Sequence, residues 1–251
     1  MNTTEEMPLR IEGRNAVLEA LNSGRNIDKV LIRKGGVDGS LKVIIAKARE
    51  KGIVVSEVSA SKLDELSDRR AHQGVVAVCP AYAYVEVSDI LEKARKANQP
   101  PFIIILDGIE DPHNLGAIIR TADAAGAHGV IIPKRRAVGV TPTAVKSAAG
   151  AIEHVPVARV TNLTNTIEEL KKQNIWVFCA DAMGQSLYNA PLVGAMALVI
   201  GGEGSGVSRI VRESCDFTVN IPMCGKITSL NASVAAGVIM YEAVRKRQLS
   251  K

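Results

Sequence analysis

From residue 101 to the end, short apolar runs alternate with helical stretches, and this rhythm narrows the fold more than any other property of the chain. Candidate strands are Phe102 to Leu106, Gly129 to Ile132, Val155 to Val157, Trp176 to Ala180, Ala197 to Ile200 and Thr218 to Ile221. Helical stretches fall between most of them. Strands joined by helices pair in parallel, and a parallel sheet needs cover on both faces. The expectation is an α/β domain whose ligands gather beyond the C-terminal ends of the strands.

Residues 9 to 79 read as a smaller α/β unit. Helices run from Gly13 to Asn22, Ser40 to Lys51 and Ser61 to Leu66, with strands at Lys29 to Arg33, Ile53 to Val58 and Gly74 to Cys79. Between the two parts the pattern loosens into mixed charge and ends in Gln99-Pro100-Pro101, which suggests a linker with one short helix. The domains expected are therefore 1–80, a linker 81–100, and 101–251.

The formal charge of +5 leans toward polyanionic partners. The excess is spread over both parts, so only local clusters make an argument. Arg33-Lys34, Arg69-Arg70 and Lys134-Arg135-Arg136 all sit in loops and are candidates for phosphate contact, against the plainer reading of solvated loop charge. Cys79, Cys179, Cys215 and Cys224 lack metal-ligand spacing, so no zinc or other metal is expected and the thiols read as reduced. The start, Met1 to Pro8, is polar and acidic, and no apolar run approaches the length of a membrane span. A cytoplasmic protein without a membrane span is expected.

Three loops carry the residues suited to chemistry. The first runs from Asp107 to Asn114 into a helix with one apolar stripe, Leu115, Ile118, Ile119 and Ala122. Asn114 sits where an N-cap belongs, and Arg120 lies off the stripe. The second is Gly201-Gly202-Glu203-Gly204-Ser205-Gly206, directly after a strand. Its glycines mark either close backbone approach to a ligand or a tight turn. The spacing is not G-x-G-x-x-G, and about 20 residues further on stand Val219 and Asn220 rather than an acid, which argues against a dinucleotide site. The third loop follows Ile221-Pro222-Met223 and passes through Ser229-Leu230-Asn231 into an Ala-rich helix reaching about Arg247. Backbone groups there, with the helix N-terminus, suit a small ligand. From Val234 to Met240 the helix is apolar nearly all round, so it should be covered on more than one side, by the chain or by a second subunit.

These three stretches, Asn114-Leu115-Gly116 through Arg120-Thr121-Ala122, Gly201-Gly202-Glu203-Gly204, and Ile221-Pro222-Met223 with Ser229-Leu230-Asn231-Ala232-Ser233-Val234-Ala235, resemble the signature motifs of the SpoU/TrmH family. Those are RNA ribose 2′-O-methyltransferases of the knotted SPOUT class. Thr228 and Ala232 depart from the commonest family wording without supplying a catalytic group. The N-terminal part resembles the L30e-type RNA-binding domain of the 23S rRNA guanosine 2′-O-methyltransferase branch.

The resemblance implies a parallel-sheet SPOUT domain with a trefoil knot, and a homodimer packed through its C-terminal helices. It implies S-adenosylmethionine held by backbone around Gly201, Gly202, Ile221, Met223 and Leu230. It makes Arg120 the central catalytic residue, with Asn114, Glu203, Ser229 and Asn231 around it, and RNA, 23S rRNA first, as the partner. Arg stays protonated in proteins, so Arg120 is expected to orient a phosphate or stabilise an oxyanion rather than act as a base. A tRNA methyltransferase and an inert RNA-binding or ribosome-assembly protein are the rival readings.

Overall fold

The computed structural model of the chain describes residues 9–25, 27–35, 38–67, 71–79 and 82–249. In chain order the first elements are β1 (Leu9–Glu12), α1 (Arg14–Asn22), β2 (Lys29–Arg33), α2 (Gly39–Glu50), β3 (Val54–Val58), α3 (Ala60–Leu66), β4 (Val75–Cys79), α4 (Val87–Lys96), β5 (Phe102–Asp107) and α5 (Pro112–Ala124). There follow β6 (Gly129–Pro133), α6 (Pro142–Ala148), β7 (Val157–Val160), α7 (Leu163–Lys171), β8 (Trp176–Ser186), β9 (Met196–Gly201), α8 (Arg209–Ser214), β10 (Phe217–Asn220) and α9 (Ala232–Leu249). The chain divides into one unit of residues 1–83 with 140–154 and another of 84–139 with 155–251.

The first unit holds a four-stranded mixed sheet in the order β1-β4-β2-β3, with only β2 and β3 parallel. Val30-Leu31-Ile32 and Val75-Val76-Ala77 are buried without alternation because helices cover both faces. Leu63 of α3 packs with Leu31 and Val76, while α1 and α2 bury Val17, Leu21, Leu41 and Ile44. Strand β1 is absent from the sequence-based expectation, since Leu-Arg-Ile-Glu is too short for period-two patterning to stand out.

Residues 140–154 differ from their expected place in the main domain. Helix α6 lies against β1, and Glu153 forms a close ion pair with Arg25, the two side chains only 8% and 10% exposed. Ser23 Oγ donates to Glu153 Oε2 at 3.0 Å, and His154 pairs with Glu19 at 3.2 Å. These side-chain links join residues far apart in sequence, which no local pattern reports.

The second unit is a six-stranded, wholly parallel sheet in the order β10-β8-β9-β5-β6-β7. One face, including Ile103, Ile105, Val177 and Val199, packs under α4, α7 and α8 through Ile90, Ile167, Leu170 and Val211. The alternate residues face α5 and α9, which pack together, with Ile118, Ile119, Ile239 and Met240 almost fully buried. Strand β7 begins at Val157 rather than Val155 because Pro156 has no N–H for the ladder.

The expected linker is more than a connector. Its helix α4 places Ile90 and Ala94, both 0% exposed, in the core of this unit. Gly129 at the start of β6 leaves the room: a Cβ there would stand 2.6 Å from the Ile90 side chain.

Helix α9 is also not covered all round within the chain. Ala236, Ile239, Met240 and Ala243 are buried, whereas Val234, Val238 and Tyr241, spaced by four and three residues, form an exposed apolar stripe.

His128 ties β5 to the turn before β6. Its Nδ1 accepts from the Phe102 N–H at 3.0 Å and its Nε2 lies 3.2 Å from Gln99 Oε1, so the ring is neutral with the proton on Nε2. Burial, with Lys93 and Arg247 nearby, lowers its pKa below the usual 6.5. The unfolded chain therefore binds the proton first as pH falls, so this contribution is complete above about pH 6.5 and is lost below it. Urea midpoints measured from pH 7.5 to 5 should fall with pH, and His128→Gln should flatten that part of the curve. A variant with the wild-type slope would contradict this account.

Candidate active site

The site forms at the C-terminal end of the six-stranded sheet, where the loops after β5, β6 and β9 line a cleft of about 570 Å³. Its walls include Asp107, Ile109, Asn114, Arg136, Glu203 and Ser208. Such a volume is suited to a small organic ligand.

Asp111, not Asn114, caps α5. Its Oδ1 accepts from the His113 N–H at 3.0 Å, and Pro112 opens the helix at the position where a missing N–H costs nothing. Asn114 is thereby freed from capping and stands in the first turn, 7% exposed. The Asp-Pro pair is the sequence signal that identifies the true cap.

Asn114 Nδ2 donates to Glu203 Oε1 at 3.0 Å, and Asn231 Nδ2 donates to Asn114 Oδ1 at 3.0 Å and, more closely, to Glu203 Oε1. Three loops separated by up to 117 residues meet in this group. Asn231 has a second task. Its Oδ1 accepts from the N–H groups of Ser233 at 3.0 Å and Val234 at 3.3 Å, capping α9. With its oxygen committed to α9, the amide of Asn231 can only donate toward the cleft, which fixes the orientation of all three side chains.

The glycine loop is closed by the chain itself. A Cβ on Gly202 would stand 2.1 Å from the Gly108 carbonyl oxygen, and one on Gly201 would stand 2.1 Å from the Gly206 carbonyl carbon. The Gly202 N–H donates to the Asp107 carbonyl at 2.9 Å, and the Ser208 N–H to Asp107 Oδ2 at 2.8 Å. Asp107 thus joins the β5 and β9 loops, a role its place at the end of a strand only hints at. Gly204, with φ of +79°, instead faces open space.

The remaining candidates are distributed differently. Arg120 is exposed on α5. Six residues after Asn114, it lies about 120° round the helix and about 9 Å along it. Asn114 and Glu203 hold each other and Asn231 rather than Arg120. Ser229 is exposed in the loop before α9, and Ile221, Met223 and Leu230 on the same loop are half-buried. Arg33 and Lys34 are exposed at the end of β2 in the first unit, whereas Arg69 and Arg70 lie outside the described residues. Lys134, Arg135 and Arg136 are all exposed after β6, and of the three only Arg136 lines the cleft. Among the described residues there is no group of His, Cys, Asp or Glu placed to hold a metal, and no helix is long and apolar enough to cross a membrane.

Chemically, the fixed amides and the Glu203 carboxylate can orient a hydroxyl-bearing ligand by accepting from it and donating to it.

Comparison with known proteins agrees with this geometry. Residues 101–241 match the SpoU rRNA Methylase family, and residues 10–85 match the substrate-binding domain of RNA 2′-O ribose methyltransferases. The chain is 52% identical over 240 residues to YacO of Bacillus subtilis (strain 168), named for the TrmH family of tRNA/rRNA methyltransferases, covering 94% of each. It superposes on the SpoU methyltransferase AviRb from Streptomyces viridochromogenes, crystallised with the cofactor AdoMet, with a TM-score of 0.84 at 26% identity, over 100% of this chain and 95% of that one. An AdoMet-bound rRNA methyltransferase from Sinorhizobium meliloti gives a TM-score of 0.79 at 26% identity, over 96% and 88%. With both parts of the chain matched and the three loops drawn together at the sheet's end, the protein belongs to the SpoU rRNA methylase family of RNA 2′-O-ribose methyltransferases.

Proposed function

We propose that this protein uses S-adenosylmethionine to methylate the ribose 2′-hydroxyl of a guanosine in 23S rRNA. The observation that carries the proposal is the bonded group of Asn114, Glu203 and Asn231, which ties the loop before α9 to two residues of the cleft wall in a member of this family. The cleft fits the cofactor: Asp107, Glu110, Asp111 and Glu203 on its walls suit a ligand with sulfonium and ammonium charges, and the loop around Gly204 is open. The backbone proposed to hold it, at Gly201, Gly202, Ile221, Met223 and Leu230, is not on the wall of this cleft but on the loops that carry Glu203 and Asn231. When bound, the cofactor supplies a methyl group on a sulfonium that is already a good leaving group.

The protein's own task is positioning. Asn114, Glu203 and Asn231 orient the ribose, with Ser229 completing the pocket, while Arg120 stabilises the developing oxyanion or holds the target phosphate. Arg33, Lys34, Arg69, Arg70, Lys134, Arg135 and Arg136 contact RNA phosphates. The rRNA named in the matched family and in the superposed Sinorhizobium meliloti enzyme supports rRNA as the substrate. Within this reading the chain's path around the third loop forms a trefoil knot.

The test is methyl incorporation from labelled S-adenosylmethionine into unmodified 23S rRNA and tRNA transcripts, with calorimetry of cofactor binding alongside. Labelling of 23S rRNA supports the proposal. Labelling of tRNA alone would replace its substrate, and absence of cofactor binding would reduce the protein to an inert RNA binder.

The exposed stripe of Val234, Val238 and Tyr241 supports a homodimer formed through α9. Light scattering should give twice the chain mass of 26.7 kDa for the wild type. Val238→Asp, which would bury an unpaired charge in that interface, should give the monomer mass. A Val238→Asp protein that remains dimeric would place the interface elsewhere.

A further inference from the structure

We infer that Arg136, unlike its neighbours Lys134 and Arg135, is a positioning residue that holds an RNA phosphate beside the reacting ribose. The inference rests on the methyltransferase reading above and sharpens it. In the sequence the three cations form one patch. In the structure they separate, because Arg136 lines the cleft that contains Asn114 and Glu203, and Lys134 and Arg135 do not.

The backbone holds Arg136 in this place. It has a φ of +56°, in the left-handed region, which turns the loop after β6 at this residue. On one side the Lys134 N–H donates to the Val160 carbonyl at 2.8 Å. On the other, the Val138 N–H donates to the carbonyl of Ile109, a residue 3% exposed, at 2.9 Å. The loop bearing Arg136 is thus anchored to β7 and to the loop after β5. Among the described residues no salt bridge consumes its guanidinium, although Asp107, Glu110, Asp111 and Glu203 line the same cleft.

Those carboxylates suit a cationic methyl donor and repel a phosphodiester. A ribose within an RNA strand cannot present its 2′-hydroxyl without bringing the adjacent phosphate with it. A fixed cation on the cleft wall offsets that repulsion, and the planar guanidinium can grip two phosphate oxygens at once. Arg120 does not line this cleft, so of the two arginines only Arg136 stands on its wall, which leaves Arg120 the other role proposed for it, at the developing oxyanion.

The test compares Arg136→Ala, Arg136→Lys and Arg136→Gly with Lys134→Ala and Arg135→Ala, using whichever transcript, 23S rRNA or tRNA, the wild type methylates. The glycine variant favours the left-handed backbone, so its loss of activity cannot come from loop strain. Arg136→Ala and Arg136→Gly should each lower kcat/KM for RNA by about 10- to 100-fold, the range for one charge-assisted contact, with Lys recovering part of it. The affinity for S-adenosylmethionine should stay within about twofold of wild type in all variants, and Lys134→Ala and Arg135→Ala should each lose clearly less kcat/KM than Arg136→Ala, as phosphate contacts outside the cleft do. Unchanged kcat/KM in Arg136→Gly would overturn the inference, and so would a parallel loss of cofactor affinity, which would place Arg136 on the cofactor's carboxylate. A wild type that binds no S-adenosylmethionine would instead refute the methyltransferase reading itself.

Discussion

Replacing Arg120 with alanine is expected to slow methyl transfer by at least about 10²- to 10³-fold, the loss typical of removing one group that stabilises developing charge. Affinity for S-adenosylmethionine should remain near wild type, because Arg120 lies on α5 away from the bonded group of Asn114, Glu203 and Asn231. Single-turnover rates with saturating cofactor, measured beside calorimetry, check both halves. Wild-type turnover in Arg120→Ala would remove this residue from the mechanism. Its exposure bears on the experiment as well. An arginine outside its own chain's cleft acts either on RNA reached from outside or on a second copy. If it acts on a second copy, the monomeric Val238→Asp variant should lose transfer together with Arg120→Ala.

Gly202→Ala should damage the site severely by adding a single methyl group. The Cβ would stand 2.1 Å from the Gly108 carbonyl oxygen and 2.9 Å from its carbon, and both belong to backbone that cannot rotate away. Relief requires the β9 loop to part from the β5 loop, which breaks the bond from the Gly202 N–H to the Asp107 carbonyl and moves Glu203 away from Asn114 and Asn231. Overpacking of this kind costs about 3 kcal/mol. For a chain of this size that lowers Tm by about 6–12 °C. Cofactor binding and methyl transfer should fall together. By contrast Gly204→Ala meets no atom within 4 Å and pays only for its positive φ, so it should be much milder. Equal Tm values for the two variants would show that the Gly202 contact is not as close as described.

Much of the fold is legible in the sequence because it is written in local periodicity. Val30-Leu31-Ile32 and Ile103-Ile104-Ile105 are unbroken apolar runs, as strands covered on both faces must be, and the stripe of Leu115, Ile118, Ile119 and Ala122 marks the buried side of α5. What escapes is what depends on contact between distant residues. The return of 140–154 to the first unit rests on Arg25 with Glu153 and Glu19 with His154, and nothing near either residue signals its partner. Helix α4 reads as linker because its surface is heavily charged, while Ile90 and Ala94, with the partly buried Val87 and Leu91, carry its packing.

The site was legible in part for the same reason. Motif resemblance points to Asn114, Glu203 and Asn231, and the structure joins them directly. The bonds among them depend on Asp111 taking over the cap of α5 and Asn231 taking that of α9, and only the first has a local sign, in Pro112. The glycines at 201 and 202 read equally well as ligand contacts or as a tight turn. At both positions the structure shows the chain approaching itself closely.

The most direct test of the central claim is mass spectrometry of nuclease-digested RNA after incubation of unmodified 23S rRNA with the protein and methyl-labelled S-adenosylmethionine. The account predicts one labelled nucleotide, a guanosine carrying the methyl group on its ribose 2′-oxygen, and no label with Arg120→Ala. A methyl group on a base, or no labelled nucleotide from a protein that binds the cofactor, would contradict it.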